Sequence, residues 1–201
     1  MTRNLGLVLL IIVIGLGAGA TYLLQHALAP RFATEQRASE SQRLLDMLPA
    51  GSYDNLPLEQ PLAVTDVELE SSTLLAGYLA TLKGIPRAVV LRSRVTGYEG
   101  AIELLIAIDS HGRLIGVKTL KQAETPGLGA VIAAHPNPWL AGFSGKSLNE
   151  PNASGWALKK DHGQFDQLAG ATVTSRAVIN AVHQALRYFD QHQSEWTGSV
   201  R

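Results

Sequence analysis

Between Asp166 and Ser175 the chain reads Asp-Gln-Leu-Ala-Gly-Ala-Thr-Val-Thr-Ser, so the minimal side chains of Ala169, Gly170 and Ala171 open onto the hydroxyls of Thr172, Thr174 and Ser175. Small side chains leave backbone N–H groups uncovered, and an amphipathic helical pattern starts directly after them. Bare amides backed by the positive end of a helix attract an anion, phosphate above all. The same hydroxyls serve equally well as helix caps, the common use of Ser and Thr at such a junction. A second constellation is Glu124-Thr125-Pro126-Gly127-Leu128-Gly129. Proline fixes φ and glycine supplies positive φ, so this is first of all a turn. Its glycines also leave main chain open to a flat ring, with the Glu124 carboxylate and Thr125 hydroxyl at the ring's edge.

The elements that must position these residues are legible in part. Val178, Ala181, Val182, Ala185, Leu186 and Phe189 recur at helical spacing and form one apolar stripe. Thr174 or Ser175 is the expected N-cap, which puts Thr172 on the turn before that helix. Upstream, Ala88–Val95, Ala101–Ile108 and Arg113–Leu120 read as three strands separated by Gly97-Tyr98-Glu99-Gly100 and Asp109-Ser110-His111-Gly112. The near-continuous apolarity of the middle strand argues for burial on both faces. Further strands are expected at Val64–Leu69 and Trp156–Lys159, and Leu74–Leu82 is apolar but unassigned. The fold class is α+β, an antiparallel sheet with packed helices. Trp139, Phe143 and Trp156 are read as core or interface residues.

Leu5–Leu24 is an uncharged run long enough to cross a bilayer as a single N-terminal transmembrane helix. Ala18-Gly19-Ala20 mimics a cleavage site, but a signal-peptide core spans only about 7–15 residues. The length therefore favours a retained anchor. Arg3 precedes the run and Arg31, Arg37 and Arg43 follow it, so the positive-inside count does not set the orientation. Glu35–Leu48 reads as a charged helix stopped by Pro49-Ala50-Gly51. The resulting division is an anchor (1–25), a connector and domain lead-in (26–86), the main domain (87–190) and a C-terminal tail (191–201).

Lys and Arg number 17, as do Asp and Glu, which gives no basic footprint for nucleic acid. The chain has no cysteine, which removes disulfides, thiolate-ligated iron–sulfur clusters and thiol nucleophiles. No pair of histidines among His111, His135, His162 and His183 has metal-ligand spacing, and no metal site is expected.

The Glu124–Gly129 loop and the Asp166–Thr172 stretch, in that order behind Gly97-Tyr98-Glu99-Gly100, resemble the two motifs of covalent FMN-binding domains. That resemblance covers roughly residues 97–189. It implies FMN as the cofactor, joined by a phosphoester to Thr172. It places Glu124, Thr125, Gly127, Leu128, Gly129, Gly170, Ala171 and Val173 around it. It also implies that a flavin transferase reads Asp166, Gly170, Ala171 and Thr172. Where the family often has Ser or Thr, this chain has Ala169. Arg176, Lys159 and Lys160 are candidate counter-charges for the phosphate, or simply solvated surface charges. An anchor, a connector and one such domain together resemble the G-subunit family of Rnf/Rsx-type electron transport complexes. The resemblance implies an electron-relaying flavoprotein on the periplasmic side of the bacterial inner membrane. Its partners would be the other subunits of an ion-translocating assembly. No residue is assigned a catalytic role. Alternatives are the C-subunit family of sodium-translocating NADH:quinone reductases, and a membrane-anchored sensor or interaction module holding flavin non-covalently.

Overall fold

The computed structural model describes residues 47–49 and 51–198. The expected anchor at residues 5–24, and all but the end of the expected helix 35–48, lie outside them. Among the described residues no helix is long and apolar enough to cross a membrane.

Five strands form one antiparallel sheet in chain order: β1 (Val67–Glu68), β2 (Ser72–Leu82), β3 (Ile85–Thr96), β4 (Ala101–Asp109) and β5 (Leu114–Lys121). Short connections force each strand to pair with the next. Lys83 and Gly84, at φ 53° and 75°, make the two-residue turn whose twist suits a hairpin. Gly97 N–H closes the next turn on the Gly100 carbonyl at 2.7 Å. The Asp109 carboxylate organises the third by accepting from the N–H groups of His111 and Arg113. The sheet reaches back into the 26–86 stretch, because β2 pairs with β3 from Ser72↔Val95 to Leu82↔Ile85.

As its apolarity requires, β4 is buried on both faces. Ile102, Leu104, Ile106 and Ile108 join the main core, while Leu105 and Ala107 join a smaller cluster with Leu48, Ala80, Ala88 and Val90. The long helix α1 (Thr172–Thr197) covers the main face, lying chiefly over β3. Every residue of its expected stripe, Val178 to Phe189, is at most 1% exposed. Each large side chain so buried contributes roughly 1.5–3 kcal/mol. Gln184 ties α1 to the β1–β2 turn, accepting from the Ser72 hydroxyl and donating to that of Ser71, both at 2.7 Å. The helix ends at Gly198, which takes the left-handed conformation at φ 64°.

The strand expected at Trp156–Lys159 does not form. Leu158 makes one isolated bridge to Phe165, and Lys159–Asp161 is a 3-10 turn. The segment's apolar residues act as core anchors instead. Trp156 and Phe165 pack their rings together beside Phe143, Leu158 is buried, and the chain reverses immediately through His162 and Gly163.

Candidate functional site

The two sequence motifs meet at the N-terminal end of α1. Gly170 has φ +70°, and a Cβ there would stand 2.8 Å from Leu128 Cδ2. The backbone angle favours glycine there, and the absent side chain leaves room for Leu128. The small-residue run thus lets the helix lead-in close against the Glu124–Gly129 loop.

Glu124 is 4% exposed at the centre of this junction. Its Oε1 accepts from the N–H groups of Tyr98 (2.9 Å) and Glu99 (3.2 Å). Its Oε2 accepts from the Thr174 hydroxyl. One carboxylate therefore joins the β3–β4 turn, its own loop and the first turn of α1. A Cβ on Gly129 would lie 2.6 Å from Glu124 Oε2 and 2.7 Å from Thr174 Oγ1, and one on Gly97 would overlap the same carboxylate. Both carboxylate oxygens are thus engaged in holding loops together, and Glu124 also lines the cleft between those loops. The Thr125 hydroxyl donates to the Glu99 carboxylate at 3.2 Å.

Between the loops lies a cleft of about 380 Å³, lined by Tyr98, Glu124, Thr125, Leu128, Gly129, Gln167 and residues 170–174. That is within the size range of small-molecule sites. Three of the large hydrophobic side chains that the fold leaves exposed, Tyr98, Leu128 and Val173, stand around it. A second cavity of about 240 Å³ beside β5 includes Gly116, Ile132 and Leu140 but no residue of either motif.

Helix α1 begins at Thr172, with Ala171 as its N-cap and no side-chain cap. The expected cap at Thr174 or Ser175 is corrected accordingly, since both hydroxyls turn inward. Thr174 donates to Glu124, while Ser175 donates to the Ala171 carbonyl at 2.8 Å and accepts from Leu168 N–H at 3.0 Å. The first intrahelical bond runs from Ser175 N–H to Ala171 at 3.0 Å. The amides of Thr172, Val173 and Thr174 therefore have no acceptor in the helix, and these residues line the cleft. The positive end of the helix dipole lies at this wall.

The Thr172 hydroxyl donates to Gln167 Oε1 at 2.9 Å and accepts from Lys160 Nζ at 3.2 Å. The other two candidate counter-charges are paired: Lys159 with Asp166 at 2.7 Å, and Arg176 with Asp161 at 2.8 Å. Hydrogen bonding to Arg176 holds the Asp161 carboxyl below its ordinary pKa, and the same bond raises that of the guanidinium. Gln167 and the Thr174–Glu124 link escaped sequence reasoning. Their contacts depend on how loops distant in sequence dock, and no spacing encodes that.

A family profile described as an FMN-binding domain matches residues 97–187. The chain is 46% identical over 195 residues to the G subunit of the ion-translocating oxidoreductase complex of Pseudomonas aeruginosa (strain UCBPP-PA14), covering 96% of this chain and 90% of that protein. It is 34% identical over 178 residues to the protein of the same description from Vibrio vulnificus (strain YJ016), covering 88% and 84%. Among solved structures it is similar to Shewanella oneidensis NqrC, with a TM-score of 0.48 at 21% identity over 77% of this chain and 76% of that one. With such identity along nearly its whole length, the chain belongs to the G-subunit family of ion-translocating oxidoreductase complexes.

Proposed function

We propose that this protein is a membrane-anchored electron relay carrying FMN as a phosphoester on Thr172, within an Rnf/Rsx-type ion-translocating complex. The observation that carries the reading is the place of the Thr172 hydroxyl. It stands at the first position of an uncapped helix, on the wall of a cleft closed opposite by the Glu124–Gly129 loop.

The residues present fit the cofactor at both of its ends. A phosphodiester keeps one negative charge, which suits the open amides of Thr172–Thr174. A planar ring suits the exposed apolar side chains of Tyr98, Leu128 and Val173 that stand around the cleft. FMN would supply the electron transfer, with its potential set by surrounding hydrogen bonds and charge. The protein's contribution is positional. Glu124 fixes the loops, Gly170 lets them approach, and α1 presents Thr172. A flavin transferase using FAD would load the site, reading Asp166, Gly170, Ala171 and Thr172. The apolar run at residues 5–24 would hold the domain at the inner membrane, on the periplasmic side, beside its partner subunits.

Denaturing electrophoresis of the chain co-produced with a flavin transferase tests the linkage. A fluorescent band is expected from the native chain and none from Thr172→Ala. An unlabelled native band sinks the covalent reading, and a label retained in Thr172→Ala but lost in Thr174→Ala moves it to the other hydroxyl. For the topology, a reporter fused after Arg201 is expected to be active only in the periplasm.

A further inference from the structure

We propose that Lys160 is a positioning residue for the Thr172 linkage. It orients the hydroxyl before it is esterified and pairs with the phosphodiester afterwards. This rests on Thr172 being the attachment point.

Three cations surround the start of α1, and their partners separate them. Lys159 and Arg176 are each held by a carboxylate. Among the described residues Lys160 forms no ion pair. It influences Asp161 through charge alone, and its hydrogen bond goes to Thr172 Oγ1 at 3.2 Å. An exposed lysine on a mobile loop would mean little, but the backbone carrying this one is firmly built. Lys159 N–H donates to Phe165 O at 2.7 Å, Phe165 N–H to Ala157 O at 3.1 Å, and Gly163 N–H to Leu158 O at 2.9 Å. Leu158 and Phe165 are buried, and His162 holds the reversal in the left-handed region at φ 66°. Gly163 packs so tightly on the Ala157 backbone that no side chain fits. Asp161 then clamps this turn to the helix through two bonds to Arg176, at 2.8 and 3.0 Å. Lys160 is thus delivered to the acceptor by a loop fixed at both ends.

The chemistry of attachment gives the ammonium two uses. The Thr172 Oγ–P bond forms as the P–O bond of the flavin dinucleotide's diphosphate breaks. AMP leaves, the hydroxyl proton passes to a base of the transferase or to solvent, and no electron changes hands. Beforehand, Lys160 and Gln167 fix the hydroxyl from opposite sides, one donating and one accepting. A positive charge beside the oxygen also favours loss of its proton. Afterwards Oγ has no hydrogen left for Gln167 Oε1, whose amide must turn its NH₂ toward the phosphate. Lys160 meanwhile gains a formal anion in place of a neutral hydroxyl, and such charge-assisted bonds are the stronger kind.

The test follows labelling of the full chain by a purified transferase with FAD and a divalent cation, read as a fluorescent band over time. Lys160→Met is expected to slow labelling about tenfold, the worth of one charge-assisted hydrogen bond. Lys160→Arg is expected to restore most of the rate. Arg87→Met, which removes an exposed charge from the far end of β3, should label at the native rate. The unloaded Lys160→Met chain should melt as the native does. In fully loaded protein, the ³¹P resonance of the phosphodiester should move in Lys160→Met and not in Arg87→Met. Native labelling and an unmoved resonance in Lys160→Met overturn the proposal. So does an Lys160→Arg chain as slow as Lys160→Met, because the charge would then be irrelevant. A native chain that takes no label, or a Thr172→Ala chain that keeps it, overturns the attachment reading itself and this inference with it.

Discussion

At Glu124 two backbone donors and a buried hydroxyl converge on one carboxylate, so truncation leaves all three without a partner. Glu124→Ala is expected to cost roughly 2–4 kcal/mol of stability in urea unfolding, the penalty for stranding buried hydrogen-bonding groups. The neighbouring glycines separate two reasons for having no side chain. Gly127 has φ +77° with open space around it, so Gly127→Ala meets only the strain of that angle, about 1 kcal/mol. Gly129 has an ordinary φ but no room, and Gly129→Ala must displace Glu124 or Thr174 at about 1–3 kcal/mol. Gly129→Ala should therefore also widen the cleft and impair labelling of Thr172. If both variants unfold at the same urea concentration, Glu124 is not the staple described. Pro126-Gly127-Leu128-Gly129 announces a turn in the sequence. Which glycine serves an angle and which serves a contact depends on a carboxylate arriving from inside the fold.

Helix α1 links the cleft to the core, and its stripe was fully legible because each apolar residue faces one sheet. Its first residue was not. Three hydroxyls in four positions offer several registers for a cap, and the choice was made by Glu124 and Leu168, which draw Thr174 and Ser175 inward. The outcome leaves the helix uncapped at the cleft. Further along, His183 stacks on Trp156 with ring centroids 5.2 Å apart. Burial lowers its pKa, the Arg187 charge adds to the effect, and Glu70 opposes it. The native state therefore favours the neutral ring. Its contribution to stability is complete above the unfolded value of about 6.5 and is lost as pH falls below that toward the lower folded value, because the unfolded chain then binds the extra proton. His183→Gln should flatten that part of the stability curve. Urea midpoints at pH 7.5 and 5.5 should differ less in the variant than in the native protein, and an equal difference would mean that His183 does not contribute.

Across the whole molecule β3, β4 and β5 were readable and β2 was not, for a physical reason. Its pairing with β3 shifts register between Leu74 and Ala76 and again between Ala80 and Thr81. Each irregularity moves the inward face by one residue and erases the alternation that marks a strand. The strand is nevertheless essential to both sides of the sheet. It supplies Leu74 to the main core and Ala80 to the smaller cluster, and it carries Ser72, which binds Gln184 of α1. Both clusters are built from residues at or beyond Leu48, inside the compact unit that begins at Arg43. Two shortened chains should consequently behave differently. Residues 43–201 keep every core contact described, so this piece should melt cooperatively and still take flavin on Thr172. Residues 87–201 begin where the sequence suggested the domain starts, and they lose β1, β2 and the cover of the β3 edge. The N–H and C=O groups of β3 that pair with β2 would then have no partner, and Gln184 would lose both hydroxyl partners. That piece should show no cooperative transition in calorimetry and no label. Cooperative melting of 87–201 would show that the site is held by β3–β5 and α1 alone, with β2 an accessory strand.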